Sequence, residues 1–222
     1  MRYRCLVLDH DDTAVDSTAT IHYPAHRRAM ALLRPGMAPI DLDGWLLKNF
    51  DPGLMPYLTD ELAMSEEELT AEYTIWREFN TEIRAPFYPG FLDVLRRFRQ
   101  NGGRIAVVSH SEADLILEDY RRGDAGEVVL PEIVFGWDPL EHRRKPSPWP
   151  IEQILHSFAV EPAEVLVVDD LKPGVAMAEA AGVDIAGAGW GHQIEQIRRY
   201  MRRRCKAYFD SIEEFARFLF ET

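Results

Sequence analysis

Three short aliphatic runs, each ending on an acid or a hydroxyl, constrain the fold of this chain more than any other feature. Residues 3–8 run into Asp9, residues 104–108 into Ser109, and residues 164–168 into the pair Asp169-Asp170. Each run is too short for a buried helix and is rich in aliphatic and β-branched side chains, which predicts a buried strand. Strands of this kind belong in a parallel sheet whose neighbours are joined by helical crossovers. Weaker runs at residues 133–135 and 184–188 complete an expected α/β core with a mostly parallel five-strand sheet. Ligands of open α/β sheets bind beyond the carboxyl ends of the strands, so the three polar endings mark where a site is to be sought.

Between the first two of these strands, residues 25–33, 43–49 and 65–84 carry helical apolar spacing, and Ser65-Glu66-Glu67-Glu68 has the form of a capping box. Pro35, Pro39, Pro52 and Pro56 punctuate the gaps. A stretch of roughly seventy residues far exceeds an ordinary βα connection. The expected organisation is therefore a core of residues 1–17 and 86–222 interrupted by a helical subdomain of residues 18–85. Pro86-Phe87-Tyr88-Pro89-Gly90 returns the chain to the core, where residues 91–99 form the helix leading into the second strand.

The 222 residues carry a formal net charge of −12, which disfavours a nucleic-acid partner. Arg198, Arg199, Arg202, Arg203, Arg204 and Lys206 make a local basic cluster, read as the solvated face of a helix. No run approaches the roughly 18 apolar residues of a membrane span, so neither signal peptide nor membrane anchor is expected and the expected location is cytoplasmic. Cys5 and Cys205 give neither a disulfide framework nor metal-ligand spacing. Nothing in the chain demands more than a monomer.

The first strand opens into Asp9-His10-Asp11-Asp12-Thr13, where alternation in an extended segment projects Asp9 and Asp11 to one side. Such a pair can divide labour: one carboxylate stays ionised as nucleophile and metal ligand, while the other protonates a leaving group and then activates water. Taken alone, such a pair is far more often a solvated turn or a helix cap. Ser109 could donate a hydrogen bond to a transferring phosphoryl oxygen, or simply cap a helix. Lys145, in Arg143-Arg144-Lys145-Pro146-Ser147-Pro148, could neutralise a carboxylate and a phosphate, or belong to a charged loop. Adjacent carboxylates at Asp169 and Asp170 repel unless something cationic is near, and Mg²⁺ takes oxygen ligands of this kind.

Together these segments form a recognisable pattern. Leu6-Val7-Leu8-Asp9-His10-Asp11-Asp12-Thr13-Ala14-Val15-Asp16-Ser17 resembles the opening motif of the haloacid-dehalogenase-like superfamily. Ser109, Lys145 and Asp169-Asp170 are similar to its other three motifs and stand in the same order. The likeness spans nearly the whole chain, including Tyr88-Pro89-Gly90 before a helix and Ala180-Ala181-Gly182-Val183 near the last strand.

The resemblance implies a Rossmann-like three-layer core with a helical cap between the first and second motifs. It also implies Mg²⁺-dependent hydrolysis of a small phosphorylated metabolite, with Asp9 forming an aspartyl-phosphate and Asp11 acting as general acid, then general base. Ser109, His110 and Lys145 would hold the phosphoryl oxygens. Mg²⁺ would be bound by Asp9, the backbone carbonyl of Asp11, and Asp170, with Asp169 contributing directly or through water. In the cap, His22, Tyr23, Arg27, Lys48, Arg77 and Asn80 are the polar or cationic candidates for substrate contact, His22 and Tyr23 lying closest in sequence to the catalytic segment, whereas Trp45, Phe50, Trp76 and Phe79 are expected in the core of the helical bundle. Similarity to phosphoglycolate phosphatases leads; a phosphomutase resembling β-phosphoglucomutases, which share the acid pair followed by a glycine, is the alternative. Three positions depart from the family pattern: Asp12 replaces a glycine, His110 an asparagine, and Gly174 stands where many relatives carry an acid.

Overall fold

The structure, a computed structural model, describes residues 2–126 and 128–221. The chain forms two compact units, Met1–Val15 with Pro86–Thr222, and Asp16–Ala85.

The first unit is built on a parallel sheet of β1 (Cys5–Leu8), β2 (Arg104–Val108), β3 (Ile133–Phe135), β4 (Val165–Asp169), β5 (Asp184–Ala188) and β6 (Ala207–Phe209). Their order is β3-β2-β1-β4-β5-β6. Leu8 stands level with Val107 on one side and Val168 on the other, so β1, β2 and β4 reach the same sheet edge in register. Every residue of β1 is fully buried. Successive strand side chains point to opposite faces, so both faces are covered and the architecture is three-layered.

The expected five-strand sheet is corrected to six. Ala207-Tyr208-Phe209 pairs with Ala186-Gly187-Ala188, extending the sheet by an edge strand too short to show a period of its own. Phe209 holds it in place, its ring 5.0 Å from that of Phe218 and 5.7 Å from that of Phe215.

The second unit opens with a π-helical turn, Thr18–His22, that leads into α1 (Tyr23–Leu33). There follow α2 (Leu42–Phe50), a short α3 (Leu54–Pro56), a π-helical turn at Tyr57–Glu61, and α4 (Glu66–Glu82). Asp41 caps α2 by accepting the Gly44 N–H at 2.8 Å. The capping box at α4 is present: Ser65 Oγ accepts from the Glu68 N–H, and Glu68 accepts from the Ser65 N–H. Met30, Trp45, Tyr57, Leu58 and Met64 form the core of this unit. Phe50 is also buried, but Trp76 and Phe79 are only partly so, because α4 lies along α1 without burying any side chain completely.

Returning to the first unit, α5 (Phe91–Gln100) and α6 (Ala113–Gly123) flank β2 and β3, and α7 (Trp149–Phe158) and α8 (Lys172–Ala181) pack against each other. α9 (Glu195–Arg204) and α10 (Ile212–Phe220) close the chain around β6. The basic cluster is more than a solvated face: Arg198 and Arg202 pair with Asp210, Arg204 with Glu179, and Lys206 with Asp184. No helix among the described residues is long and apolar enough to cross a membrane.

Candidate active site

The strand order reverses direction at β1 and β4, which opens a crevice beyond their carboxyl ends. Asp9 leaves β1 there, its N–H donating to the carbonyl of Val168 at 2.8 Å. Asp169 is the last residue of β4, and Asp170 follows. Lys145 arrives from the loop before α7 and donates from Nζ to Asp9 Oδ1 at 2.6 Å and to Asp169 Oδ2 at 2.8 Å. All four side chains are buried. Ligand oxygens of Asp9, Asp169 and Asp170 lie within 4.8 Å of one another.

Gly174 belongs to this arrangement through what it lacks. A Cβ there would come within 2.1 Å of Asp169 Oδ2. Asp169 cannot easily yield, because its Oδ1 accepts the Leu171 N–H at 2.9 Å while Oδ2 holds Lys145. The departure from the family pattern at this position is therefore the space into which Asp169 packs.

The electrostatics follow from burial. Desolvation raises Asp169 to about 6 against the pull of Lys145, and the Asp9 charge adds to the rise. Desolvation also lifts Asp170 well above its ordinary value, reinforced by Asp9, Asp169 and Asp12. Burial alone would lower Lys145, but Asp169 and Asp9 override it and hold the ammonium above its usual range. Three buried carboxylates thus face one ammonium, and Asp170 Oδ2 has no hydrogen-bond partner among the described residues. Excess buried negative charge on convergent carboxylate oxygens suits a hard divalent cation.

Asp11 stands beside this cluster, half-buried, its Oδ2 accepting from Ser111 Oγ at 2.6 Å and from Ser109 Oγ at 3.4 Å. Asp11 and Ser109 are thereby brought together as the motif order anticipates. Ser111 is the closer donor and was missed, although alternation from Ser109 would have pointed to it. His10, between the two acids, turns away to Asp119 at 3.2 Å and packs among Phe87 and Tyr120. His110 Nε2 donates to the carbonyl of Lys145 at 3.0 Å, and its ring meets Trp137 edge-on, so this histidine ties down the lysine loop. Asp12 has φ 54°, the left-handed conformation that explains why glycine is usual there and that Asp tolerates. Its side chain is buried.

The segment after β5 also reaches the site, which its sequence did not disclose. Trp190 Nε1 donates to the carbonyl of Thr13 at 2.9 Å, and Thr13 Oγ1 donates to Asp170 Oδ1 at 3.5 Å. His192 Nε2 lies 3.6 Å from Asp170 Oδ2. Burial, then the charge of Arg198, lowers His192 to about 4, so the ring is neutral near pH 7. The signal available in the sequence was positional, since residues 189–192 follow a strand that ends at the same sheet edge.

The family model described as haloacid dehalogenase-like hydrolase matches residues 3–182 of this chain. The chain belongs to the haloacid dehalogenase-like hydrolases. Among curated proteins it is similar to phosphoglycolate phosphatase 1 of Pseudomonas aeruginosa, at 23% identity over 197 residues, covering 85% of this chain and 70% of that protein. Among solved structures it resembles a haloacid dehalogenase-like hydrolase from Bacteroides fragilis, with a TM-score of 0.78 at 20% identity, covering 96% of this chain and 99% of the other. It also resembles a hydrolase of the same family from Deinococcus radiodurans, solved with bound phosphate and sodium, with a TM-score of 0.73 at 20% identity and coverage of 98% and 95%.

In this hydrolase the candidate cap residues lie in the helical unit, where much of their polarity is already engaged. His22 Nδ1 accepts from Trp76 Nε1 at 2.8 Å and the two rings stack. Tyr23 donates its hydroxyl to the carbonyl of Ile40 at 2.9 Å. Arg27 is exposed, sits over the Tyr23 ring, and lines a cavity of about 480 Å³ with Arg28, Pro24, Met37 and Phe79.

Proposed function

We propose that this chain is a cytoplasmic Mg²⁺-dependent phosphatase acting on the monoester of a small phosphorylated metabolite. The observation that carries the reading is the convergence of Asp9, Lys145, Asp169 and Asp170 on one buried point at the carboxyl ends of β1 and β4. Phosphoryl transfer asks for an aligned nucleophile and compensated charge, and these residues offer both. The curated relative named for phosphoglycolate and the phosphate held by the Deinococcus protein support the same chemistry.

In this reading one oxygen of Asp9 attacks phosphorus while Oδ1 stays with Lys145. The bond from phosphorus to the leaving oxygen breaks as Asp11 delivers its proton to that oxygen. Asp11 then takes a proton from water, which attacks the aspartyl-phosphate, releases inorganic phosphate and restores Asp9. Ser109 and Lys145 hold the phosphoryl oxygens, and Ser111 and Ser109 orient Asp11. His110 acts through the Lys145 loop that it fastens. Asp9, Asp170 and the Asp11 carbonyl would hold Mg²⁺, with Asp169 directly or through water; when bound, the ion offsets charge on the transferring group. Residues 18–85 serve as the cap that selects the substrate, with His22, Tyr23 and Arg27 as its candidate contacts. Their place between the first and second motifs supports this assignment.

A panel of phosphorylated metabolites assayed with Mg²⁺ tests the reading. Phosphate release is expected from at least one, abolished by chelator and lowered about 10³-fold or more in Asp9→Asn. Undiminished activity in that variant would exclude Asp9 as nucleophile, and turnover that requires a sugar bisphosphate would assign the phosphomutase instead.

A further inference from the structure

His192 is not explained by the chemistry above. Its side chain is 3% exposed, yet among the described residues neither ring nitrogen has a hydrogen-bond partner. Facing it is Asp170 Oδ2, which also lacks one. The separation of 3.6 Å is too long for a hydrogen bond. Nε2 and Oδ2, unpartnered and buried against each other, are costly, and an ion between them is one of the explanations that such atoms call for.

The scaffold holding the ring there is well built. Trp190 fastens the segment to the Thr13 carbonyl, and the Gly189 N–H donates to the carbonyl of Phe209 at 2.8 Å. Gly191 lies so close to the turn at Asp12 that a Cβ would come within 2.2 Å of the Asp12 carbonyl oxygen. A glycine is needed for the segment to approach this far, and the approach delivers His192 to the acidic cluster.

We propose that His192 is a nitrogen donor to the cation held by Asp9, Asp169 and Asp170, an inference that rests on reading that cluster as a cation site. One ion between them accounts at once for the two atoms that face each other, His192 Nε2 and Asp170 Oδ2. The donor set is then mixed, and this has a consequence for metal choice. Mg²⁺ is bound through oxygen, whereas Mn²⁺, although it too favours carboxylate and water, is a first-row transition ion and takes an imidazole nitrogen more readily than Mg²⁺ does. His192 therefore raises the affinity for Mn²⁺ relative to Mg²⁺, beyond what the carboxylates provide.

Metal-stripped full-length protein titrated with Mn²⁺ alone gives the test. Free Mn²⁺ is counted by its electron paramagnetic resonance signal, and the bound ion is examined by pulsed resonance for coupling to ¹⁴N. The wild-type protein is expected to bind Mn²⁺ with ¹⁴N coupling. In His192→Phe and His192→Asn the coupling disappears and the Mn²⁺ dissociation constant rises about tenfold, while that for Mg²⁺ changes less than about threefold. Bound Mn²⁺ without ¹⁴N coupling in the wild-type protein overturns the assignment of His192 and leaves the acidic cation site standing. Failure to bind Mn²⁺ or Mg²⁺ at all removes the cation site itself, and the assignment with it. The wild-type measurement does not depend on either variant folding.

Discussion

Adding Mg²⁺ to chelated protein at a series of pH values probes the acidic cluster directly, because protons and the cation compete for the same oxygens. The Asp169 carboxyl is raised from 3.8 to about 6 in the folded protein. A carboxyl raised on folding contributes stability that is fully present below its unfolded value, and that stability is lost as pH rises through the folded value. The chelated protein therefore loses up to ~3 kcal/mol from Asp169 between about pH 4 and neutrality, with Asp170 acting in the same direction. A bound cation relieves that loss. At pH 5, below the folded value, displacing the Asp169 proton costs cation binding about 1 kcal/mol, and at pH 7.5 it costs almost nothing. Stabilisation by Mg²⁺ should thus grow by that amount or more from pH 5 to 7.5, or roughly 2–4 °C in midpoint for a chain of this size. Comparing the midpoint with and without Mg²⁺ at each pH cancels groups remote from the site, such as His26, buried in the helical unit and lowered to about 4 by desolvation. Differential scanning fluorimetry with EDTA or saturating Mg²⁺ is sufficient. An equal rise at pH 5 and pH 7.5 would show that the carboxylates are already ionised in the folded protein, and the account of their burial would be wrong.

Lys145→Met removes the ammonium from contacts of 2.6 and 2.8 Å. Each is worth about 6 kcal/mol at an effective dielectric near 20 before desolvation is counted. The net loss expected from stranding the buried carboxylates is ~3–5 kcal/mol, read as a lower urea midpoint at pH 7.5 in EDTA. Gly174→Ala forces a methyl group to within 2.1 Å of Asp169 Oδ2, where Lys145 and the Leu171 N–H hold the carboxylate. We expect Mg²⁺ affinity to fall about tenfold or more by calorimetry, in the range typical of displaced supporting contacts, and unchanged affinity would contradict the packing argument.

What could be read from the sequence differs between elements for physical reasons. β1, β2 and β4 are buried on both faces, so they appear as unbroken apolar runs whose polar endings stand out. β6 has three residues, and it forms because Phe209 finds Phe215 and Phe218 in a helix that comes later in the chain, information no local window contains. In the helical unit the periodicity located α1, α2 and α4, yet the shared spacing did not tell which aromatic residues would be enclosed. Trp45 meets Met30 and Tyr57 in the core, while Trp76 remains on the half-open face of α4.

The site shows the same division at finer scale. Each residue of the candidate centre lies at the end of a strand or in the connection that follows it: Asp9 and Asp11 after β1, Ser109 and Ser111 after β2, Lys145 in the connection after β3, Asp169 and Asp170 at the end of β4, and His192 after β5. The sequence displays these loops but not which strands are neighbours. Once the order places β2 and β4 on either side of β1, with β5 beyond β4, the loops converge at one edge and the side chains they carry become partners. The loop after the edge strand β6 carries Ser211, which caps α10 by accepting the Glu214 N–H at 3.3 Å. Strand position alone does not decide the matter, because β3 stands as far from the reversal between β1 and β4 as β6 does, and Lys145 reaches Asp9 and Asp169 from the connection that follows β3. What decides is where the side chain arrives: His192 Nε2 stands 3.6 Å from Asp170 Oδ2, beside the acidic cluster, whereas Ser211 Oγ is taken up by the first turn of the helix it starts.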